Sequence, residues 1–193
     1  MENKILITYF EPFGGDGFNA SGAVAECMPQ SLGAEKLMLP VEFERGAMLA
    51  IEKARELSAR FIVCFGEARA RKAVTPELVA INLNHASIPD NAGKAPRDEA
   101  IVNGGAAAYF TVFPARRLAE RINELGVRAS LSYSAGAYVC NDLYYRLLRE
   151  FEGSETRVVF IHVPRDDGEN AYKNMALAVA QALSELIFEE TNG

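Results

Sequence analysis

The chain has no tryptophan, only two histidines and only three cysteines. Cys27, Cys64, Cys140, His85 and His162 are scattered at spacings that form no CxxC or HxxxH pattern, and the cysteine number is odd. Neither a zinc site nor a disulfide framework is indicated, and no metal is expected. Positive charge is also scarce. Twenty Lys and Arg against 26 Asp and Glu give a formal net charge of −6, whereas proteins that grip a phosphate backbone need clustered cations. Nucleic acid is therefore not an expected partner. No apolar run approaches the roughly 18 to 20 residues that span a bilayer. Met1 to Ile7 carry no basic stretch followed by a signal-type apolar block. The expectation is a cytoplasmic protein with no membrane contact.

What is present is ordinary globular composition, 49% hydrophobic and 24% charged over 193 residues, which predicts one domain spanning residues 1–193. Short runs rich in β-branched and aromatic residues at 4–10, 35–41, 60–66, 78–84, 127–134 and 157–164 are the expected strands. Helical spacing falls between them, at 21–28, 43–57, 114–125, 141–151 and 169–188. Strands that alternate with helices favour a largely parallel sheet covered on both faces, an α/β/α sandwich. Residues 84–109 break the periodicity, and their Pro, Gly, Asn and Asp content predicts a loop or irregular hairpin. A connection this long inside a compact chain is unusual enough to suggest that it covers a substrate.

Two of the three cysteines read as structural. Cys64 lies in the apolar run RFIVCFG, and Cys27 shares a helical stripe with Val24, so both are expected in the core. Cys140 differs. The small residues of YSAGAYVCND allow a sharp bend, and a thiol at the start of the following helix feels the positive end of the helix dipole, which predicts a lowered thiol pKa. The same geometry points free backbone N–H groups at an attacked carbonyl. His162 lies at the carboxyl end of the strand VVFIH, where ligands gather in parallel α/β sheets, and is the better candidate base. His85 reads as a solvated loop residue. A third group that orients the imidazole is expected, and spacing alone leaves Glu11, Glu67, Glu77 and Asp90 as candidates.

LSYSAGAYVCND resembles the active-site cysteine signature of the pyroglutamyl peptidase I family, the pyrrolidone-carboxylate peptidases. Four further segments agree in order: ITYFEPFGGDGFNAS, GEARARKAVTPELVAIN, IPDNAG and FIHVP. The resemblance implies a cysteine peptidase that removes an N-terminal pyroglutamyl residue from peptides. It also implies a phosphorylase/hydrolase-like α/β/α fold, no cofactor, and a homotetramer or other homo-oligomer. By position, Cys140 is then the nucleophile, His162 the general base and acid, and Glu77 the residue that orients His162. Phe10 and Phe13 stand where the family's opening loop meets the flat lactam ring. Asn19, Glu67, Arg71, Tyr138 and Val139 complete the implied substrate pocket.

Three positions depart from the family pattern. Glu67 stands where Gln is typical, Ser87 where an Arg is typical, and Leu78 where a basic residue usually follows the glutamate. These departures motivate an alternative, a homologue that binds a modified peptide or small lactam with little turnover. A second alternative is a dinucleotide binder, because GDGFNA after the first strand satisfies G-x-G-x-x-A with Glu42 further on.

Overall fold

The structure, a computed structural model, describes residues 4–166, 168 and 170–192, so Met1 to Asn3 of the opening segment lie outside it. Its centre is a five-stranded sheet built from β1 (Ile5–Phe10), β2 (Ala34–Leu39), β3 (Phe61–Glu67), β4 (Thr75–Pro76) and β7 (Arg157–Val163), in the order β2-β1-β3-β7-β4. Every pairing is parallel except that of β4 with β7. The crossovers that parallel neighbours require are supplied by α1 (Ala20–Cys27), α2 (Arg45–Leu57), α3 (Ala115–Glu124) and α4 (Val139–Glu150), and α5 (Ala171–Asn192) follows the last strand.

Strand alternation sorts the core into two layers. On β3, Phe61, Val63 and Phe65 face one side and pack with α1, α3 and α5 residues such as Val24, Leu118 and Leu183. Ile62 and Cys64 face the other, against Leu143 and Leu147 of α4 and Ala50 of α2. On β7, Val159, Ile161 and Val163 join the first layer, and Val158 and Phe160 the second. The same alternation places Gly66 and His162 on the α2/α4 side.

The expected α/β/α sandwich is therefore present. Four of the six expected strands stand where the sequence puts them, each within two residues at either end, and all five helices form. Helix α5 begins at Ala171 as described, and the expected start at Glu169 lies outside the described residues. Two strand expectations are corrected. The run 127–134 makes only isolated parallel bridges, Val74 with Ala129 and Glu77 with Ser132. It runs beside Thr75 and Pro76, and proline offers no N–H to a ladder, so regular pairing cannot extend there. The run 78–84 shortens to β5 (Val79–Ile81), which pairs outside the main sheet with β6 (Ala108–Phe110). Residues 82–107 form an irregular excursion between these two antiparallel strands, with one bridge, Asn84 to Glu99. No helix among the described residues is long and apolar enough to cross a membrane.

Candidate active site

Helix α4 begins one turn's edge earlier than its sequence pattern suggests. Its first residues are Val139 and Cys140, not Asn141. The approach to it bends at Gly136, whose φ of 82° lies in the left-handed region that glycine alone adopts freely. As the first two residues of the helix, Val139 and Cys140 have no intrahelical acceptor for their N–H groups.

The register of the sheet brings the histidine to this turn. Gly66 is the parallel partner of His162, and a Cβ on Gly66 would lie 3.0 Å from Cys140 Sγ and 2.7 Å from the Phe160 ring. The sulfur therefore sits over β3 beside the strand that carries His162, on the same face of the sheet, in space left by a missing side chain. Gly66→Ala is expected to displace either the thiol or the Phe160 ring, lowering the melting temperature by an amount equivalent to about 1–3 kcal/mol and lowering kcat with it. Thermal melts and steady-state kinetics on the variant check both effects.

His162 is buried, and its Nδ1 lies 2.7 Å from Glu77 Oε1. Glu77 is held from several directions. Its backbone N–H donates to Phe160 O at 2.8 Å, its backbone oxygen accepts from the Tyr144 hydroxyl at 2.9 Å, and its side chain is fully buried. Arg71 donates to the same Oε1 and to the Thr75 hydroxyl, and its Nη2 reaches Ser134 O at 2.9 Å. Among the four carboxylates left open by spacing, Glu77 is the one against His162. Glu11 binds Val41 N–H and Asn91, Asp90 caps Phe43 N–H and its own loop, and Glu67 lies elsewhere in the site.

Electrostatics corrects one expectation. Burial pushes the Cys140 thiol up to about 12, with the Glu77 charge adding to the rise and Arg71 only partly opposing it. Burial also holds His162 below the ordinary imidazole value, despite the hydrogen bond to Glu77 that favours its charged form. Desolvation is the largest influence on each group, so thiol and imidazole both rest neutral near pH 7.

In front of Cys140 lies a cavity of about 370 Å³, within the range of small-ligand clefts. Phe10, Phe13, Tyr138 and Val139 line it as expected, joined by Phe18, Val41 and Ile88. Tyr138 packs its ring against Phe13 and Phe43 and donates to Pro89 O at 3.1 Å, fastening the 82–107 excursion to the site. Ile88 brings that excursion to the cavity wall, as a covering segment would. Arg71 does not line the cavity. Its guanidinium is paired with Glu77, as a support of that carboxylate. Asn19 does line the cavity, but its amide is committed: Oδ1 accepts from Ser21 N–H and hydroxyl, and Nδ2 donates to Glu11 O. It is the N-cap of α1. Ser87 is exposed in the excursion, and the cation nearest the buried carboxylate is Arg71.

The remaining cysteines divide. Cys64 is buried as expected, whereas Cys27 is exposed at the last residue of α1, a correction to its expected core position. The stripe of Val24 and Ala25 turns inward, and Cys27 falls past its edge. His85 pairs with Asp98 at 2.8 Å on the excursion. Among the described residues no group of three or more His, Cys, Asp or Glu side chains could hold a metal ion. The dinucleotide reading fails at the helix end a pyrophosphate would need, because Ala20 N–H is already occupied by Glu67 Oε2 at 2.6 Å.

The model of the pyroglutamyl peptidase family matches residues 3–180. The chain belongs to this family. A pyrrolidone-carboxylate peptidase of Bacillus amyloliquefaciens is 40% identical over 172 residues, covering 85% of this chain and 79% of the relative. One from Bacillus thuringiensis strain Al Hakam is 37% identical over 166 residues, 83% of this chain and 77% of the relative. In three dimensions the crystal structure of pyroglutamyl peptidase I from B. amyloliquefaciens aligns with a TM-score of 0.84 at 36% identity, over 94% of this chain and 96% of that one. The pyrrolidone carboxyl peptidase of Thermus thermophilus aligns with a TM-score of 0.85 at 33% identity, over 93% and 98%.

Family membership makes the convergence at Cys140 intelligible, and it also marks what the sequence pattern had missed. Asn141 and Asp142, read only as helix residues, are both buried and both reach off the helix. Asn141 pairs with the backbone of Ile81 through both its donor and acceptor, and with Leu83 O. Asp142 accepts from Glu44 N–H at 2.8 Å and Asn84 Nδ2 at 2.9 Å. A polar pair at the start of a helix is so common as a cap that no sequence signal separates this use from the ordinary one.

Proposed function

We propose that this chain, as a single peptidase domain of residues 1–193, removes an N-terminal pyroglutamyl residue from peptides through Cys140, His162 and Glu77. The observation that carries the reading is the Glu77–His162 hydrogen bond, set one strand away from the thiol that rests over Gly66. His162 takes the thiol proton as Sγ attacks the pyroglutamyl carbonyl, because neither group is charged at rest. Nδ1–H donates to Glu77, which fixes the tautomer and steadies the imidazolium that forms. The N–H groups of Val139 and Cys140 receive the oxyanion. His162 then protonates the leaving amine, and water, activated by the same imidazole, releases pyroglutamate from the acyl-enzyme. The apolar, aromatic cavity suits a flat, uncharged ring.

Release of a fluorescent amine from its pyroglutamyl amide by purified protein tests the reading, and no turnover from folded protein would overturn it in favour of a binding homologue. The pH profile supplies a second check. A protonated imidazole cannot accept the thiol proton, so kcat/KM is expected to fall as pH drops through the His162 pKa, which burial keeps below the ordinary 6.5. An acid limb centred above pH 7 would contradict it. A homo-oligomer, with a tetramer at four times the 21.1 kDa chain mass, belongs to the same proposal and is read by light scattering. So does a cytoplasmic location, which the three unpaired cysteines support, since thiols persist in reducing compartments.

A further inference from the structure

Glu67 poses a problem that the proposed reaction leaves unanswered. Its side chain is only 8% exposed and lines a largely apolar cavity that the proposed function assigns to an uncharged ring. A lone carboxylate there would reject a neutral lactam and invite a cation. The structure resolves the conflict within the chain. Glu67 Oε2 accepts from Ala20 N–H at 2.6 Å, at the first turn of α1, and Oε1 accepts from Arg69 Nε at 2.5 Å. Arg69 also lines the cavity, and its Nη2 continues to Asp16, which in turn accepts from Arg165 at 3.0 Å. Two acids and two bases alternate along a chain that starts at the cavity wall with Glu67 and Arg69, and they sum to zero. Arg165 also lies over the Phe18 ring at 5.2 Å, so the chain of charges ends on an aromatic of the cavity wall.

We propose that Glu67 and Arg69 act together as a specificity-determining pair that makes the cavity neutral, so that it selects a five-membered lactam over the same ring carrying a protonated amine. Resting on the proposed function, the inference assigns Arg69 the task of silencing the Glu67 charge and Glu67 the task of holding Arg69 against the wall. Loss of Arg69 alone then leaves a carboxylate that favours a prolyl ring, whose nitrogen is a cation at neutral pH. Loss of both charges restores a neutral cavity.

The experiment compares wild type, Arg69→Met, Arg69→Lys, Glu67→Gln and the Arg69→Met/Glu67→Gln double variant. Kd values are measured by calorimetry for pyroglutamamide and prolinamide, and kcat/KM for the matching fluorogenic amides. The expected result is a pyroglutamyl-to-prolyl preference that falls by about 10- to 100-fold in Arg69→Met, chiefly through weaker lactam binding, and returns to within about threefold of wild type in the double variant. Arg69→Lys is expected to keep most of it. An unchanged ratio in Arg69→Met overturns the proposal, and so does a ratio that falls but is not rescued by Glu67→Gln, because the effect would then come from the loop alone. The binding ratio is read without turnover. An inactive wild type would thus refute the proposed reaction while the pair is still judged by Kd.

Discussion

Cys140→Ala is expected to lower kcat/KM for a pyroglutamyl amide by at least about 10,000-fold, leaving only what binding and the oxyanion site contribute. Under the proposed mechanism, without Sγ His162 has no proton to receive and no acyl-enzyme forms. Stability is expected to change little, because alanine is well suited to the first turn of a helix. The other two cysteines provide the contrast. Cys27→Ala is expected to change neither activity nor melting temperature appreciably, since the side chain is exposed. Cys64→Ala removes a fully buried sulfur from the layer between sheet and α4, and is expected to cost about 1–2 kcal/mol with activity largely retained. Melting curves and kinetics on the three variants decide the matter. Equal loss of activity in all three would remove Cys140 from its place as sole nucleophile.

The second large effect is expected from Glu77→Gln, which keeps the shape and deletes the charge. An amide can turn its NH2 toward Nδ1 and so favour the tautomer with the proton on Nε2, where the thiol needs an acceptor. A loss of about 1,000- to 10,000-fold in kcat is the expected outcome. The same change takes from Arg71 its buried counter-ion. Breaking a fully buried pair costs about 3–5 kcal/mol, but Arg71 is partly exposed and keeps its bond to Ser134 O. About 1–3 kcal/mol is therefore expected, read from chemical denaturation. A variant with full kcat would show that the Glu77–His162 bond is structural only.

Much of this arrangement was legible before any coordinates. Cys64 and Cys140 separated correctly because one sits inside an unbroken apolar run and the other follows small residues that cannot fill a core. His162 was placed by its position at a strand end. What escaped was whatever depends on a partner far along the chain. Arg71 Nη2 reaches Ser134 O, 63 residues on, a contact that its neighbours in sequence do not announce. The thiol pKa was given the wrong sign because the dipole can be read from a helix start, whereas burial is a property of the assembled layers. β4 and β6 are too short to leave a periodic trace, and each is held by one neighbour. Cys27 shows the limit of helical stripes at a helix end: as the last residue of α1 it is exposed, while Met28 just beyond it is buried.

Three residues around the start of α4 have a practical consequence for anyone recombining members of this family. Tyr138 is tied to Pro89, Asn141 to Ile81 and Leu83, and Asp142 to Asn84 and Glu44. The turn that carries the proposed nucleophile is thus also the mooring of the 82–107 segment and of the bend that opens α2. Exchange of the 82–107 segment between homologues is therefore not a local change alone. Unless residues 138–142 travel with it, a graft would cut the ropes that hold Cys140 in place, and under the proposed mechanism altered specificity would come coupled to lost rate.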